Sequence, residues 1–593
     1  MPESRPLKYA EQLTDWLVDL GYTHCFFVAG GNIMHLLDGA RSRFRCIPVV
    51  HEVAAGIAVE YFNEASDQGK AFALVTAGPG LTNILTAMAG AWLESRELLV
   101  VGGQVKSEDL SSGGVRQRGI QEVDGVSLAA PVSKRSVRMD SRWERAEFEA
   151  TVSSGFTDRP GPIFVEVCLD VQGAAPIPET EPVVSAIIKK TLTPSQLDSV
   201  AEYVAMAERP LLLIGGGVSR EAARRLQDGF AALGIPIMTT WNGADRVDSG
   251  NPLYVGRPNT WGQRASNLLV AQCDLLVAVG TRLGLQQTGF NWKAFAAQAS
   301  IIHVDIDSSE LQKGHPRTDL PLSIDADHFL QDLVTLPSKG EWADWLGYCQ
   351  VVRELLPAKD PENVTAEGFV CPYDFYLQLS ELSSPHDILI PCSSGGANSV
   401  AMQTINQKAG QVIITDKGLA SMGYGLSGAI GTAFSHPDRR VLMVEGDGGF
   451  TQNLQELATV GVNSLNLKIF IFANEGYASI RTTQRNYFGG AYLGCDTQTG
   501  LGFPDWTQLF SSYGIPSVSL RPDWTRVPEI REFLDSPGPA AFVVPIDPLQ
   551  TYWPKITSRI TGSGSMESNP LHMMSPDLPA DLFERVSRFL VLE

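Results

Sequence analysis

A short apolar run with no alternation, closed by glycine or an acid and followed by a helix-like stretch, most limits what this chain can fold into. Such runs recur at 72–75, 98–101, 163–167, 211–214, 275–279, 301–304, 412–414, 441–444, 468–472 and 541–544. A strand that is apolar at every position has both faces covered, as in a parallel sheet between two helix layers. The expected class is therefore α/β, built from doubly wound parallel sheets. Just after one such run, Leu454, Leu457, Ala458 and Gly461 follow the i, i+3, i+4, i+7 spacing and predict one buried helix face.

Length repeats this unit. The 593 residues exceed a single core, and at roughly 150 residues per domain three or four domains are expected. Two stretches rich in proline and acid, 174–182 and 356–365, divide the chain. They leave blocks at 1–175, 190–355 and 366–553, and a tail at 554–593. The first and third blocks share a plan of strand, small-residue loop and helix. The tail holds TGSGSMESNP, a flexible composition, and then an amphipathic stretch at 579–592.

Charge narrows the partners. Lys and Arg total 46 against 66 Asp and Glu, a net charge of −20, which repels phosphate backbones and anionic lipid. Neither nucleic acid nor a membrane is an expected partner. No apolar run reaches the ~18 residues of a membrane span, and the first residues lack a secretory signal. The eight cysteines are scattered with no CxxC pair, which reads as reduced thiols in a cytoplasmic protein.

The strongest chemical signal is Gly446-Asp447-Gly448 at the end of one apolar run, with Asn474 at the end of the next. The separation, 474 − 447 = 27, is one helix plus one strand. Both residues should fall at the carboxyl edge of neighbouring parallel strands, where open α/β sheets bind ligands. An aspartate, an amide oxygen and a carbonyl are hard ligands suited to magnesium. The plain alternative is a tight turn with a capping aspartate.

With Asn474 in NEGY, this pattern resembles thiamine-diphosphate enzymes, and over nearly its whole length the chain is similar to their acetohydroxyacid synthase/pyruvate oxidase group. The resemblance implies that Asp447, the Asn474 side chain and the Gly476 carbonyl hold Mg2+. It places the diphosphate near Gly446, Gly448, Gly449, Gly396 and Ala397, and other cofactor contacts at Gly30, Gly31, Pro79 and Ala420, with Met422 as a hydrophobic wedge. Thiamine chemistry needs a carboxyl to activate the aminopyrimidine. In IPVVHE, followed by TAGPGLTN, Glu52 matches that residue. Gln121 matches an active-site glutamine, and His51 is a candidate contact for intermediates. The resemblance further implies a homodimer or homotetramer in which Glu52 and Asp447 face one cofactor from different subunits. For the middle block it implies FAD, held by Gly215, Gly216, Gly280, Arg282, Asp305 and Asp325, as a structural cofactor. An empty relic of such a domain is the alternative.

Departures from the synthase pattern refine the expectation. Gln286 stands where those enzymes carry an arginine for the acceptor carboxylate, Leu169 where they carry lysine, and Thr483 where they carry tryptophan. VRQRGIQEVDGV, NEGYASIRTTQRNYF and DPLQTYWPKITSR resemble synthase-like carboligases of surface-sugar operons, including the yersiniose-type enzymes. The expectation is a carboligase that decarboxylates pyruvate or a related 2-keto acid and transfers the acyl unit to a ketone or keto-sugar, giving a tertiary alcohol. Acetolactate synthesis, or 2-keto acid decarboxylation or oxidation, is the alternative. The tail, with Lys555 and SNPLHMM, is expected to act as a lid.

Overall fold

The computed structural model describes residues 6–178, 190–336, 342–560, 562, 564 and 566–591. Part of the 174–182 boundary and part of TGSGSMESNP lie outside these residues. The first sheet contains β1 (Tyr22–Phe27), β2 (Arg45–Pro48), β3 (Lys70–Val75), β4 (Leu98–Gln104), β5 (Arg135–Met139) and β6 (Pro162–Cys168), in the order β2-β1-β3-β4-β6-β5. The second contains β7 (Pro210–Ile214), β8 (Ile237–Thr239), β9 (Leu275–Val279), β10 (Ser300–Asp305) and β11 (Leu320–Ser323), in the order β11-β10-β9-β7-β8. The third contains β12 (Ile388–Ile390), β13 (Val412–Ile413), β14 (Val441–Gly446), β15 (Leu467–Ala473), β16 (Ser517–Ser519) and β17 (Ala540–Pro545), in the order β13-β12-β14-β15-β17-β16. Every pairing within the three sheets is parallel. The interior strands are the apolar ones; β9 is buried at all its positions.

Five helices matter for the site: α1 (Glu52–Ala65), α2 (Pro79–Glu94), α3 (Gly395–Thr404), α4 (Tyr424–Ser435) and α5 (Ala478–Tyr487). Helices α1 and α4 join the first and third domains in one hydrophobic core containing Phe26, Ile57, Tyr61, Tyr424, Ile430 and Val441. They approach closely because small residues line the crossing. A Cβ on Gly428 would lie 2.5 Å from the Tyr61 ring, and one on Gly431 would run into the Ala58 carbonyl. Since that second obstacle is backbone, Gly431→Ala should destabilise the α1–α4 junction by about 1–3 kcal/mol. An unchanged denaturation midpoint would show that the helices can separate at no cost.

Buried charge holds the three domains together. Arg96 donates to Glu60 and to the Thr415 carbonyl, both at 2.8 Å. Arg220 donates to Asp245 and to the Glu64 carbonyl, both at 2.7 Å, while Asp245 also accepts the Ile413 N–H at 2.9 Å. Each buried charge thus has an opposite charge or a backbone partner, without which it would be costly.

Two expectations change. The face predicted at Leu454, Leu457, Ala458 and Gly461 is not the buried one. The segment breaks into a 3-10 turn, Leu454–Glu456, and a helix, Leu457–Asn463, and burial falls on Glu456, Leu457, Thr459 and Val460. Glu456 turns inward because its carboxylate accepts the N–H groups of Val50 (3.1 Å) and His51 (3.0 Å). The tail also differs from a lid. Its hairpin, Ser558–Ile560 with Met566–Ser568, leads into SNPLHMM, where the Met574 carbonyl accepts from Arg264 at 2.9 Å. Beyond it, Val586 is buried and its carbonyl accepts from Gln272 at 2.9 Å. This part of the tail completes the core of the middle domain, while Tyr552, just before the tail, reaches the candidate site.

Candidate active site

Strands β2, β1 and β3 are neighbours, so the loops that follow them open at one carboxyl edge. Gly30 and Gly31 follow β1, His51 and Glu52 follow β2, and Pro79 follows β3. A Cβ on Gly30 would strike the Thr76 side chain, which fixes the β1 and β3 loops against each other; Gly31 borders open space. Glu52 begins α1 and is 7% exposed. His51 caps that helix, its ring nitrogen accepting the Val53 N–H at 3.3 Å.

The Glu52 carboxylate is oriented by a residue the sequence did not single out. Asn83, one turn into α2, donates to Oε2 at 2.9 Å. Among the described residues Oε1 has no protein partner and can meet a ligand atom. Pro79 is the exposed first residue of α2. The preceding Gly78 (φ +65) lies so close to the Gln121 carbonyl that a Cβ would not fit, which brings Gln121 to the same edge. Gln121 has φ 63, an unfavourable region for glutamine. Its neighbour Glu122 pins the loop by accepting the N–H groups of Ser111 (2.5 Å), Arg118 (2.7 Å) and Gly119 (2.9 Å). Burial would raise the Glu122 carboxyl, but these bonds pull it down to about 2.

The second set of residues lies at the carboxyl edge of β14 and β15. Asp447 is buried; Oδ1 accepts the Gly448 N–H at 2.7 Å, and Oδ2 accepts those of Asn474 (2.9 Å) and Glu475 (2.7 Å). Burial still pushes its carboxyl up to about 6. The Asn474 side-chain oxygen points at two further acceptors, 2.7 Å from the Gly476 carbonyl and 3.3 Å from Asp447 Oδ1. With the amide turned over, its nitrogen would instead donate to both. With the oxygen there, its distances to the two neighbours bracket the ~2.9 Å spacing of adjacent ligands around Mg2+. Among the described residues no three His, Cys, Asp or Glu side chains cluster to hold a metal. A cation here would have one carboxylate, one amide and one carbonyl, and would need further oxygens, as a diphosphate supplies. The residues fit the group. Gly476 (φ +146) passes so close to the Cys495 carbonyl that no side chain could replace its hydrogen.

The helix beginning at Asp447, with Gly448 and Gly449 in it, is a single turn ending at Phe450. The longer helix at this edge is α3, ten residues from Gly395 onward, with Gly396 and Ala397 in its first turn. Tyr552 covers this end; a Cβ on Gly396 would lie 2.8 Å from its ring. Burial and then the Asp447 charge raise the phenol, while a bond with the Asn474 side chain lowers it. Ala420 (φ 54) donates to Asp416 at 2.9 Å, and Met422 is half-buried just before α4.

The segment that carries Ala420 and Met422 runs along the C-terminal half of α2. Pro79 and Asn83 mark the Glu52 end. Gly90 abuts the Tyr424 hydroxyl, and from Pro79 to Gly90 the helix advances about 16 Å. Glu94, its last residue, accepts the Lys417 N–H at 2.6 Å, and the Gly418 N–H as well. The 417–424 segment, which carries Ala420 and Met422, therefore sits far along α2 from Pro79.

In the middle domain Gly215 and Gly280 follow the adjacent strands β7 and β9 and touch, with the Gly217 N–H donating to the Gly280 carbonyl at 2.9 Å. Gly216 is exposed beside them. Arg282 is half-buried, its carbonyl accepting from Lys313. Asp305 ends β10 and accepts the Asp307 N–H at 2.9 Å, with burial raising its carboxyl. Asp325 caps the helix Ala326–Leu333, accepting from Asp327 and His328.

Sequence comparisons agree with this division. Residues 7–128 match the N-terminal TPP binding domain of thiamine pyrophosphate enzymes, 197–333 their central domain and 394–544 their C-terminal TPP binding domain. The chain is 30% identical to the acetolactate synthase isozyme 2 large subunit of Escherichia coli K12, over 92% of this chain and 97% of that protein. It is 30% identical to a probable acetolactate synthase large subunit of Methanocaldococcus jannaschii, over 92% and 93%. The acetolactate synthase large subunit of Corynebacterium glutamicum is 27% identical over 98% and 94%. No helix among the described residues is long and apolar enough to cross a membrane.

Proposed function

Because the chain belongs to the thiamine-pyrophosphate-dependent enzymes of the acetolactate synthase family, decarboxylating carboligases, we propose that it decarboxylates pyruvate or a close 2-keto acid and joins the acyl unit to the carbonyl of a second 2-keto acid. The observation that carries the reading is the Asn474 side chain standing 2.7 Å from the Gly476 carbonyl and 3.3 Å from the buried Asp447 Oδ1. These residues would hold Mg2+, with the first turn of α3 facing the diphosphate. Bound thiamine diphosphate supplies a carbon nucleophile and an electron sink for decarboxylation. Glu52 Oε1 would hold a proton against the cofactor's ring nitrogen, with Asn83 keeping Oε2 in place. Pro79 and Met422 would pack against the cofactor, Gln121 would orient a carbonyl, and His51 would face the reacting atoms.

Membership of the family supports a site completed by a second copy of the chain, in which Glu52 of one subunit serves the Asp447 of another in a homodimer or homotetramer. The glycine contacts of β7 and β9, with Arg282 and Asp305, support FAD in the middle domain, to be checked by a flavin spectrum of the purified protein. Incubating the protein with pyruvate, thiamine diphosphate and Mg2+ should release carbon dioxide and form acetolactate. No carbon dioxide release would overturn the reading.

Gln286 favours a second reading, transfer to a ketone or keto-sugar, because it leaves the arginine position neutral. Under that reading cyclic ketones yield tertiary alcohols, and Gln286→Arg shifts preference toward keto-acid acceptors by roughly tenfold or more. An unchanged preference would remove the argument from Gln286.

A further inference from the structure

Lys555 is 8% exposed, yet among the described residues nothing hydrogen-bonds or ion-pairs with its ammonium. The Nζ stands 4.7 Å from the centre of the Trp553 ring and 5.0 Å from that of Trp261. Two indole faces recover part of the cost of taking a cation out of water. They do not replace an anion, and a buried charge left unpaired is strongly unfavourable. The charged group that acts on Lys555 is another cation, Arg485; burial first and Arg485 second make the ammonium a weaker holder of its proton. In a chain of net charge −20, a buried ammonium held between two indoles without a carboxylate forms a receptor for an anion from outside.

Its place in the fold says which anion. Tyr552, three residues earlier, covers Gly396 and contacts Asn474. Arg485 lies one turn along α5 from Arg481, whose guanidinium donates to the Asn474 carbonyl at 3.2 Å and that of Glu475 at 3.1 Å. On the other side the Ile556 N–H donates to the Thr260 carbonyl, and the Thr260 N–H to the Gln286 carbonyl, both at 2.9 Å. Lys555 therefore stands between the candidate metal loop and the segment whose Gln286 lacks a charge. The neutral position at Gln286 does not leave the site without a cation; the tail brings one in.

We propose that Lys555 receives the anionic group of the acceptor substrate, either the carboxylate of a 2-keto acid or a phosphate on a keto-sugar. This rests on the carboligation reading above and names the acceptor class of that same site. The test uses holoenzyme, pyruvate as donor and two pairs of acceptors. The pairs are 2-ketobutyrate with propanal, and dihydroxyacetone phosphate with dihydroxyacetone.

In Lys555→Gln the KM of one charged acceptor should rise about 10–100-fold while kcat/KM for its neutral counterpart moves less than about 3-fold. Lys555→Arg should restore most of the loss. The pair that responds identifies carboxylate or phosphate. Charged and neutral acceptors falling together, neither falling, or weaker thiamine diphosphate binding with an unchanged acceptor ratio would each overturn the assignment. A wild-type protein that joins only the neutral acceptors would overturn it alone. One that forms no carbon–carbon bond with any of the four would overturn the carboligation reading, and this inference with it.

Discussion

Replacing Glu52 by glutamine is expected to lower turnover by about 10²–10⁴-fold, the usual contribution of a positioned acid–base group. Glutamine has nearly the same shape, and its oxygen can still accept from Asn83, which bonds Oε2 at 2.9 Å. What it cannot do is exchange a proton at the other end of the side chain. The fold of the β2 loop should therefore persist, since it rests on His51 capping α1 and on Glu456 holding the Val50 and His51 N–H groups. Calorimetry should find thiamine diphosphate binding within about tenfold of wild type, because the proposed metal and diphosphate contacts are on other residues. More than about a tenth of wild-type turnover in this variant would remove Glu52 from the activating role.

Asp447 gives the second large effect, on binding instead of turnover. Its carboxylate satisfies three backbone N–H groups within a buried turn. Asp447→Ala leaves those donors unpaired, at about 1–3 kcal/mol each, and deletes the one carboxylate of the oxygen cluster. Asp447→Asn separates the two losses. It retains an acceptor oxygen for part of the turn but carries no charge for the cation. Both variants should lower Mg2+-dependent thiamine diphosphate affinity by at least about 100-fold, while only the alanine variant should lower the denaturation midpoint substantially. Wild-type affinity in Asp447→Asn, measured by calorimetry with Mg2+ present, would place the metal elsewhere.

What could be read from the sequence, and what could not, follows from how far apart the cooperating residues lie. The central strands were legible because burial on both faces makes them apolar throughout, as in β9. Among the edge strands β13 was read but β5 was not, because Arg-Ser-Val-Arg-Met is half-exposed and lacks the signal; the interior β1, Tyr-Thr-His-Cys-Phe-Phe, escaped because its apolar run is broken. Asp447 and Asn474 could be paired in advance because one helix and one strand fix both at the same sheet edge. Asn83 was within the quoted TAGPGLTN, but its bond to Glu52 depends on how α1 and α2 pack. Tyr552 and Glu456 act across domains, where spacing carries no information. The shared core of the first and third domains escaped for the same reason, since each block looked complete by itself. Leu454, Ala458 and Gly461 show the opposite error: a regular apolar spacing was outweighed by one buried glutamate with two backbone donors to accept.

The placing of Glu52 on the first sheet and Asp447 on the third has a consequence for mixtures of damaged chains. If Glu52 and Asp447 of one chain serve different cofactors, Glu52→Gln and Asp447→Ala are lesions in separable halves of the protein. Each homodimer carries the same defect in both sites. A mixed dimer gathers both lesions into one site and leaves the other whole. With free exchange of subunits about half the dimers are mixed, so about a quarter of all sites regain every essential group. Two inactive preparations, combined, would then complement each other, an outcome that a site built within a single chain does not allow.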